Sequence, residues 1–328
     1  MTTRCPWCEA PRNAGPTCPS CGANYAKAEA IRARGRANAN PPGTAATSSL
    51  SGIETYTDDN RATAPVSDPR FEYLCCLYAM PCMLLLAGLL RLTGFGASVQ
   101  RIVFGMPVHE LGHAVVGWLS GYSAIPTLWK TITPTSRGYI APALLFAAIA
   151  ALTWQGLRHK TPGWLLVALG LFVLQVYATF VIDQSTATML ITFAGDGMGM
   201  VLATVLMSLF YIGKQTQIYK GALRWGFMAI GAAAFADMFV PWWLARGDIG
   251  HVGYGMTGGI ATDAFKLINH HGWSWSGMIR AHVTIGLGCL LVLASVYTAG
   301  LWQARHWWQA QARADRLDRL RAPRSGRS

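Results

Sequence analysis

Residues 101–120 read RIVFGMPVHELGHAVVGWLS, an apolar run broken by His109, Glu110 and His113. Its length suits a helix crossing a bilayer, which needs about 20 residues. An ionised side chain at that depth costs several kcal/mol, so its presence is a sign of function. Glu110 is also the only glutamate between Tyr73 and the C-terminus. On a helix, His109 and His113 project from one face, close enough to share a zinc ion. Glu110, beside the first imidazole, is placed to act as general base on a zinc-bound water. A chain of this composition should contain the pattern about 0.003 times by chance. A packed His pair with a snorkelling Glu is the bland alternative, but it leaves a costly buried carboxylate.

Working outward, further apolar runs occupy roughly 72–92, 138–158, 162–182, 187–212, 221–244 and 281–303. The chain has 328 residues, of which 52% are hydrophobic and 13% charged. Soluble proteins average about 25% charged. The 13 Trp fit interfacial belts. The expected fold is an all-α polytopic membrane protein of about six to eight transmembrane helices, with a small N-terminal zinc ribbon.

The ribbon is carried by Cys5-Pro6-Trp7-Cys8 and Cys18-Pro19-Ser20-Cys21. Two CxxC pairs at this spacing suit tetrahedral structural zinc better than a redox pair. Residues 1–24 therefore read as the ribbon. Residues 25–70 read as a flexible linker, with a basic cluster at Arg32, Arg34 and Arg36. Residues 71–304 form the multi-span domain and 305–328 a basic tail. The other cysteines lie in apolar runs and read as small packing residues.

Net charge is +12, with Arg305, Arg313, Arg316, Arg319, Arg321, Arg324 and Arg327 in the tail. The positive-inside rule makes that tail cytoplasmic. Zinc-binding thiolates need a reducing compartment, which makes the ribbon cytoplasmic too. Two cytoplasmic ends demand an even number of crossings, yet seven apolar runs are present. One run is then re-entrant, or the glycine-rich segment 250–268 enters the membrane.

A catalytic zinc needs a third protein ligand and an open position. Asp183, Asp196, Asp237 and Asp263 lie near or inside the runs. Asp196 stands between Gly195 and Gly197, which let another helix approach its carboxylate. Simple alternation of spans puts it at the depth of His113, on the order of 10–15 Å from one end. Asp196 is the expected third ligand. Asp237 is the runner-up, or else a hydrogen-bonded carboxylate orienting a zinc-bound His.

These residues resemble the site-2 proteases, intramembrane zinc metalloproteases, over about 100–212. His109, Glu110 and His113 match that family's HExxH, and Asp196-Gly197 matches its Asp-Gly element. The resemblance implies zinc held by His109, His113 and Asp196, with Glu110 as base and a membrane protein as substrate. Segment 121–142 mixes β-formers with turn residues and reads as a short hairpin or extended loop. In the resembled family such elements receive substrate in extended form.

The expected function is an intramembrane zinc endopeptidase with one catalytic and one structural Zn2+. Its partners are the lipid bilayer, a membrane protein substrate and a protein engaged by the ribbon. A nucleic-acid partner is disfavoured, because the basic tail follows directly on a span. The alternative is a non-proteolytic zinc-binding scaffold or regulator using the ribbon as its interaction module. A metal transporter needs more acidic or His-bearing spans than this chain offers. The intact Glu110 favours hydrolysis, since a structural site needs no base. His270-His271 resembles a desaturase-type histidine box, but the several further boxes such enzymes need are absent. His251 and His282 flank the glycine-rich segment as gate or interface residues.

Overall fold

The computed structural model describes residues 5, 10–11, 15–21, 24–26, 29, 68–211, 216–220, 222–257 and 259–321. The chain divides into a unit of Met1–Ala62 and a unit of Thr63–Ser328. Cys8, most of the expected linker with its arginine cluster, and the last seven tail residues lie outside the described residues.

In the first unit, Cys5, Cys18 and Tyr25 are buried against one another. The Cys5 N–H donates to the Ala10 carbonyl at 2.8 Å, and Thr17 pairs with Asn24 in an antiparallel bridge.

The second unit is mostly helical. Helix α1, Pro69–Arg91, starts at Asp68, whose carboxylate accepts from the Arg70 N–H, with Pro69 in the first turn. That is the expected start of a helix whose first N–H groups lack partners. Helix α2, Gly94–Val99, runs through a π segment, Gln100–Gly105, into α3, Met106–Leu119. Pro107 explains the π segment. It offers no N–H to the carbonyl four residues before it, and its ring crowds that carbonyl. The ladder widens instead, and the Met106 N–H reaches the Arg101 carbonyl five residues back.

Strands β1, Ile125–Pro126, and β2, Thr131–Ile132, pair antiparallel with Ile125 opposite Ile132. Segment 121–142 thus contains the short hairpin its composition suggests. Helices α4, Ile140–Arg158, and α5, Pro162–Val176, form a hairpin. Helix α6, Gln184–Ser208, is capped by Asp183, which accepts from the Thr186 N–H at 3.0 Å. Then come α7, Gln217–Lys220, and α8, Leu223–Leu244. A second hairpin, β3 at Met256–Thr257 and β4 at Ile260–Ala261, leads into α9, Asp263–Asn269. Helix α10, Trp275–Arg321, has 47 residues. At 1.5 Å per residue it is roughly 70 Å long, more than twice a hydrocarbon core. No break falls at the expected 304/305 boundary, because Ala304 is still in the core and Trp308 stacks on Tyr73 at 5.6 Å.

Among the described residues, seven helices are long and apolar enough to cross a membrane. Contacts between them give their directions. Helices α6 and α8 are antiparallel: Met207 lies against Gly231, Gly199 against Met238, and Asp196 against Trp242. The start of α1 sits with the start of α8, where Arg224 grips Glu72 through both carboxylate oxygens at 2.6 and 2.9 Å. It also sits with the end of α6, since Tyr211 donates to the Cys76 carbonyl. The end of α3 lies at the opposite end of the bundle: the Leu119 carbonyl accepts from Thr179, just before α6 begins. Residues 69–119 therefore make one net traverse, although two of the seven helices lie in that stretch. Helices α4, α5, α6, α8 and α10 add one each. The start of α1 and the far end of α10 consequently share one end of the bundle, as the contact of Leu77 with Tyr297 also requires.

Candidate metal centre

The site is built where α3 meets α6. Gly112 lets the two backbones touch; a Cβ there would lie 2.5 Å from the Ala194 carbonyl oxygen and 3.0 Å from that of Gly195. Gly195 makes room for the imidazoles, because a Cβ on it would sit 2.7 Å from the Nε2 atoms of both His109 and His113. The close approach follows from small residues at the helix crossing.

His109, Glu110 and His113 are all buried. The two rings meet edge to face, with centroids 4.7 Å apart. Each ring has its outer nitrogen committed. His113 Nδ1 is 2.6 Å from the Ile191 carbonyl oxygen, and His109 Nδ1 is 2.8 Å from Asp196 Oδ1. Both partners are acceptors, so each Nδ1 carries the hydrogen and each Nε2 presents a lone pair. The Nε2 atoms lie 3.2 Å apart. Asp263 Oδ2, from the first turn of α9, completes a triangle at 3.1 Å from His109 Nε2 and 3.0 Å from His113 Nε2. A tetrahedral ion with bonds of ~2.0 Å has ligand edges of about 3.3 Å. Three lone pairs converging at this spacing repel one another, and a divalent cation removes that repulsion. The residues fit zinc in both donor type and spacing.

Asp196 is absent from this triangle, which corrects its sequence-based placement as third ligand. Its Oδ1 faces the outer nitrogen of His109, and its Oδ2 accepts from Trp242 Nε1 at 2.8 Å. Trp242 is held in turn by a parallel stack on His282, with centroids 3.9 Å apart. His282 is therefore buried in the support of the site rather than at an interface. Asp237 is not in the triangle either. It is buried between Arg101 Nη1 at 3.1 Å and Arg91 Nε at 3.5 Å. The two guanidinium groups compensate its buried charge. Gly105 provides the space for its carboxylate. Arg101 also lies 3.8 Å from Asp196 Oδ1.

Asp263 stands outside the apolar helices. Its Oδ1 accepts from Lys266 Nζ at 3.0 Å. A sequence signal for this residue exists: Thr262 followed by Asp263 is a helix start, and the Thr262 hydroxyl does accept from the Phe265 N–H. That signal marks a helix start in a glycine-rich stretch between apolar runs, and nothing in it points to a metal.

Glu110 Oε2 is 2.8 Å from Thr131 Oγ1, and the same hydroxyl is 2.7 Å from the Glu110 carbonyl oxygen. Thr131 belongs to β2, so the hairpin lies directly against the candidate base. In the first unit, the thiols of Cys5, Cys18 and Cys21 lie within 4.8 Å of one another, with Cys5 Sγ and Cys21 Sγ 3.9 Å apart. That grouping is a candidate metal site of soft ligands.

Comparison of the chain with protein-family models, with curated proteins and with solved structures gives no match.

Proposed function

We propose that this chain is an intramembrane zinc endopeptidase of site-2 protease type, in which His109, His113 and Asp263 hold the metal. The convergence of three lone pairs from α3 and α9 carries the reading. Zinc, when bound there, polarises a peptide carbonyl and lowers the pKa of a water towards ~7. The remaining work belongs to the chain. Glu110 accepts the proton of the attacking water and returns it to the leaving amine. Thr131 orients Glu110 through Oε2. Asp196 and the Ile191 carbonyl fix the two imidazole tautomers. Three protein ligands leave a fourth position open, as hydrolysis needs and a structural site does not.

The proposed setting is a bilayer crossed six times net, which reconciles seven apolar helices with two ends on one face. The arginines of the tail make that face cytoplasmic. Cys5, Cys8, Cys18 and Cys21 form a closed zinc ribbon, which engages a protein partner because it has no open position for chemistry.

The test uses the purified full-length protein with a panel of single-span peptides in mixed micelles. Wild type should hold zinc and cleave at least one peptide. Glu110→Gln should keep the zinc and lose activity by at least the 10²–10⁴-fold typical of a general base. A wild-type protein that holds zinc and cleaves none of the peptides refutes the peptidase reading and favours a zinc-stabilised scaffold. Substantial turnover by Glu110→Gln removes the base from its role.

A further inference from the structure

The two oxygens of Asp263 have different surroundings. Oδ2 faces both Nε2 atoms, at 3.1 and 3.0 Å, while Oδ1 faces Lys266 Nζ at 3.0 Å. Lys266 follows Asp263 by three residues, so the two side chains share one face of α9. The helix that carries them is anchored. Ala264 and Leu267 are buried against Trp242 and Met278, and Asn269 donates to the Tyr254 hydroxyl at 2.8 Å. Among the described residues, the other cation near the triangle is Arg101, which lies against the carboxylates of Asp196 and Asp237.

We propose that Lys266 is a positioning residue that keeps Asp263 a one-oxygen ligand and so keeps the fourth zinc position open. The inference rests on the metal assignment proposed above. A carboxylate binds metal through one oxygen or two. The second oxygen is close enough to the first that a small rotation about the side chain brings it in. An ammonium has three donors and no acceptor, so it cannot itself become a ligand. Its charge-assisted bond to Oδ1 occupies the oxygen that would otherwise compete for the open position. Without Lys266, Asp263 chelates the ion, and the position needed for water or for the peptide carbonyl closes.

Cobalt(II) replacing zinc reports this directly, because four-coordinate cobalt absorbs visible light more strongly than five-coordinate cobalt. Lys266→Met should retain one cobalt in the membrane unit and shift its spectrum from four- towards five-coordinate. The zinc enzyme should lose kcat by about 10–100-fold, the range for an outer partner of a ligand, with KM little changed. Lys266→Arg should restore spectrum and kcat, since a guanidinium can also satisfy Oδ1. An unchanged spectrum and kcat in Lys266→Met overturns the proposal. Loss of the metal in that variant overturns it too, because Lys266 would then assemble the site rather than set its coordination. Asp263→Ala separates this failure from that of the underlying assignment. If that variant keeps the wild-type cobalt spectrum, Asp263 is no ligand, and both readings fall.

Discussion

Asp196 and Asp263 should respond to mutation in different ways, and the structure says why. Asp196 accepts two hydrogen bonds, from His109 Nδ1 at 2.8 Å and from Trp242 Nε1 at 2.8 Å. An indole N–H is only a donor. In Asp196→Asn the amide oxygen can serve one of these partners, and the NH2 then faces the other. If the NH2 meets Trp242, two donors oppose each other and the tryptophan moves. If it meets His109, Nδ1 must become the acceptor, and a hydrogen then competes with the metal for Nε2. Either outcome weakens one ligand without removing it. The expected loss in zinc affinity is 10–100-fold, or about 1.4–2.8 kcal/mol at 1.4 kcal/mol per decade. Asp263→Ala removes one of three ligands outright. It should release zinc at chelator concentrations where Asp196→Asn still holds it. The assay is competition with a chromophoric chelator at fixed pH, since ligand protonation competes with the metal. Thermal melting in the same detergent checks that each variant is folded. The reasoning is refuted if Asp196→Asn loses zinc as completely as His113→Ala while Asp263→Ala keeps it. Asp196 would then be the ligand, as the sequence suggested.

Gly195→Ala should abolish zinc binding and lower the melting temperature, because its Cβ would sit 2.7 Å from both Nε2 atoms; a variant with normal zinc content and stability would show that α3 and α6 can separate at no cost. Deleting residues 1–24 should remove one zinc equivalent per chain and leave the membrane site filled, as measured by metal analysis; unchanged stoichiometry would rule out the ribbon.

Much of this protein is written locally. The apolar runs mark the helices long and apolar enough to cross a membrane, because twenty consecutive apolar residues have few other uses. His109 and His113 share a face because helix geometry puts i and i+4 there. Asp68 with Pro69 and Thr262 with Asp263 mark helix starts through hydrogen bonds confined to a few residues. Of the glycines flanking Asp196, Gly195 marks a close helix contact that makes room for the imidazoles, while Gly197 lies against Phe193 of its own helix. What the sequence cannot carry is the identity of partners distant in the chain. Asp263 lies 154 residues from His109, and a carboxylate outside the apolar runs has no periodicity that aims it at a histidine. Asp196 and Asp237 both look like intramembrane ligands because each is a charge in an apolar run. Tertiary packing decides between roles by giving Asp237 to Arg91 and Arg101, and Asp196 to the outer nitrogen of His109. Parity follows the same logic. Counting hydrophobic stretches yields seven, but only the contacts of Glu72 with Arg224 and of Leu119 with Thr179 reveal that residues 69–119 make one net traverse. Length and hydropathy are properties of a segment, whereas direction and ligation are relations between segments, and those exist only once the chain has packed.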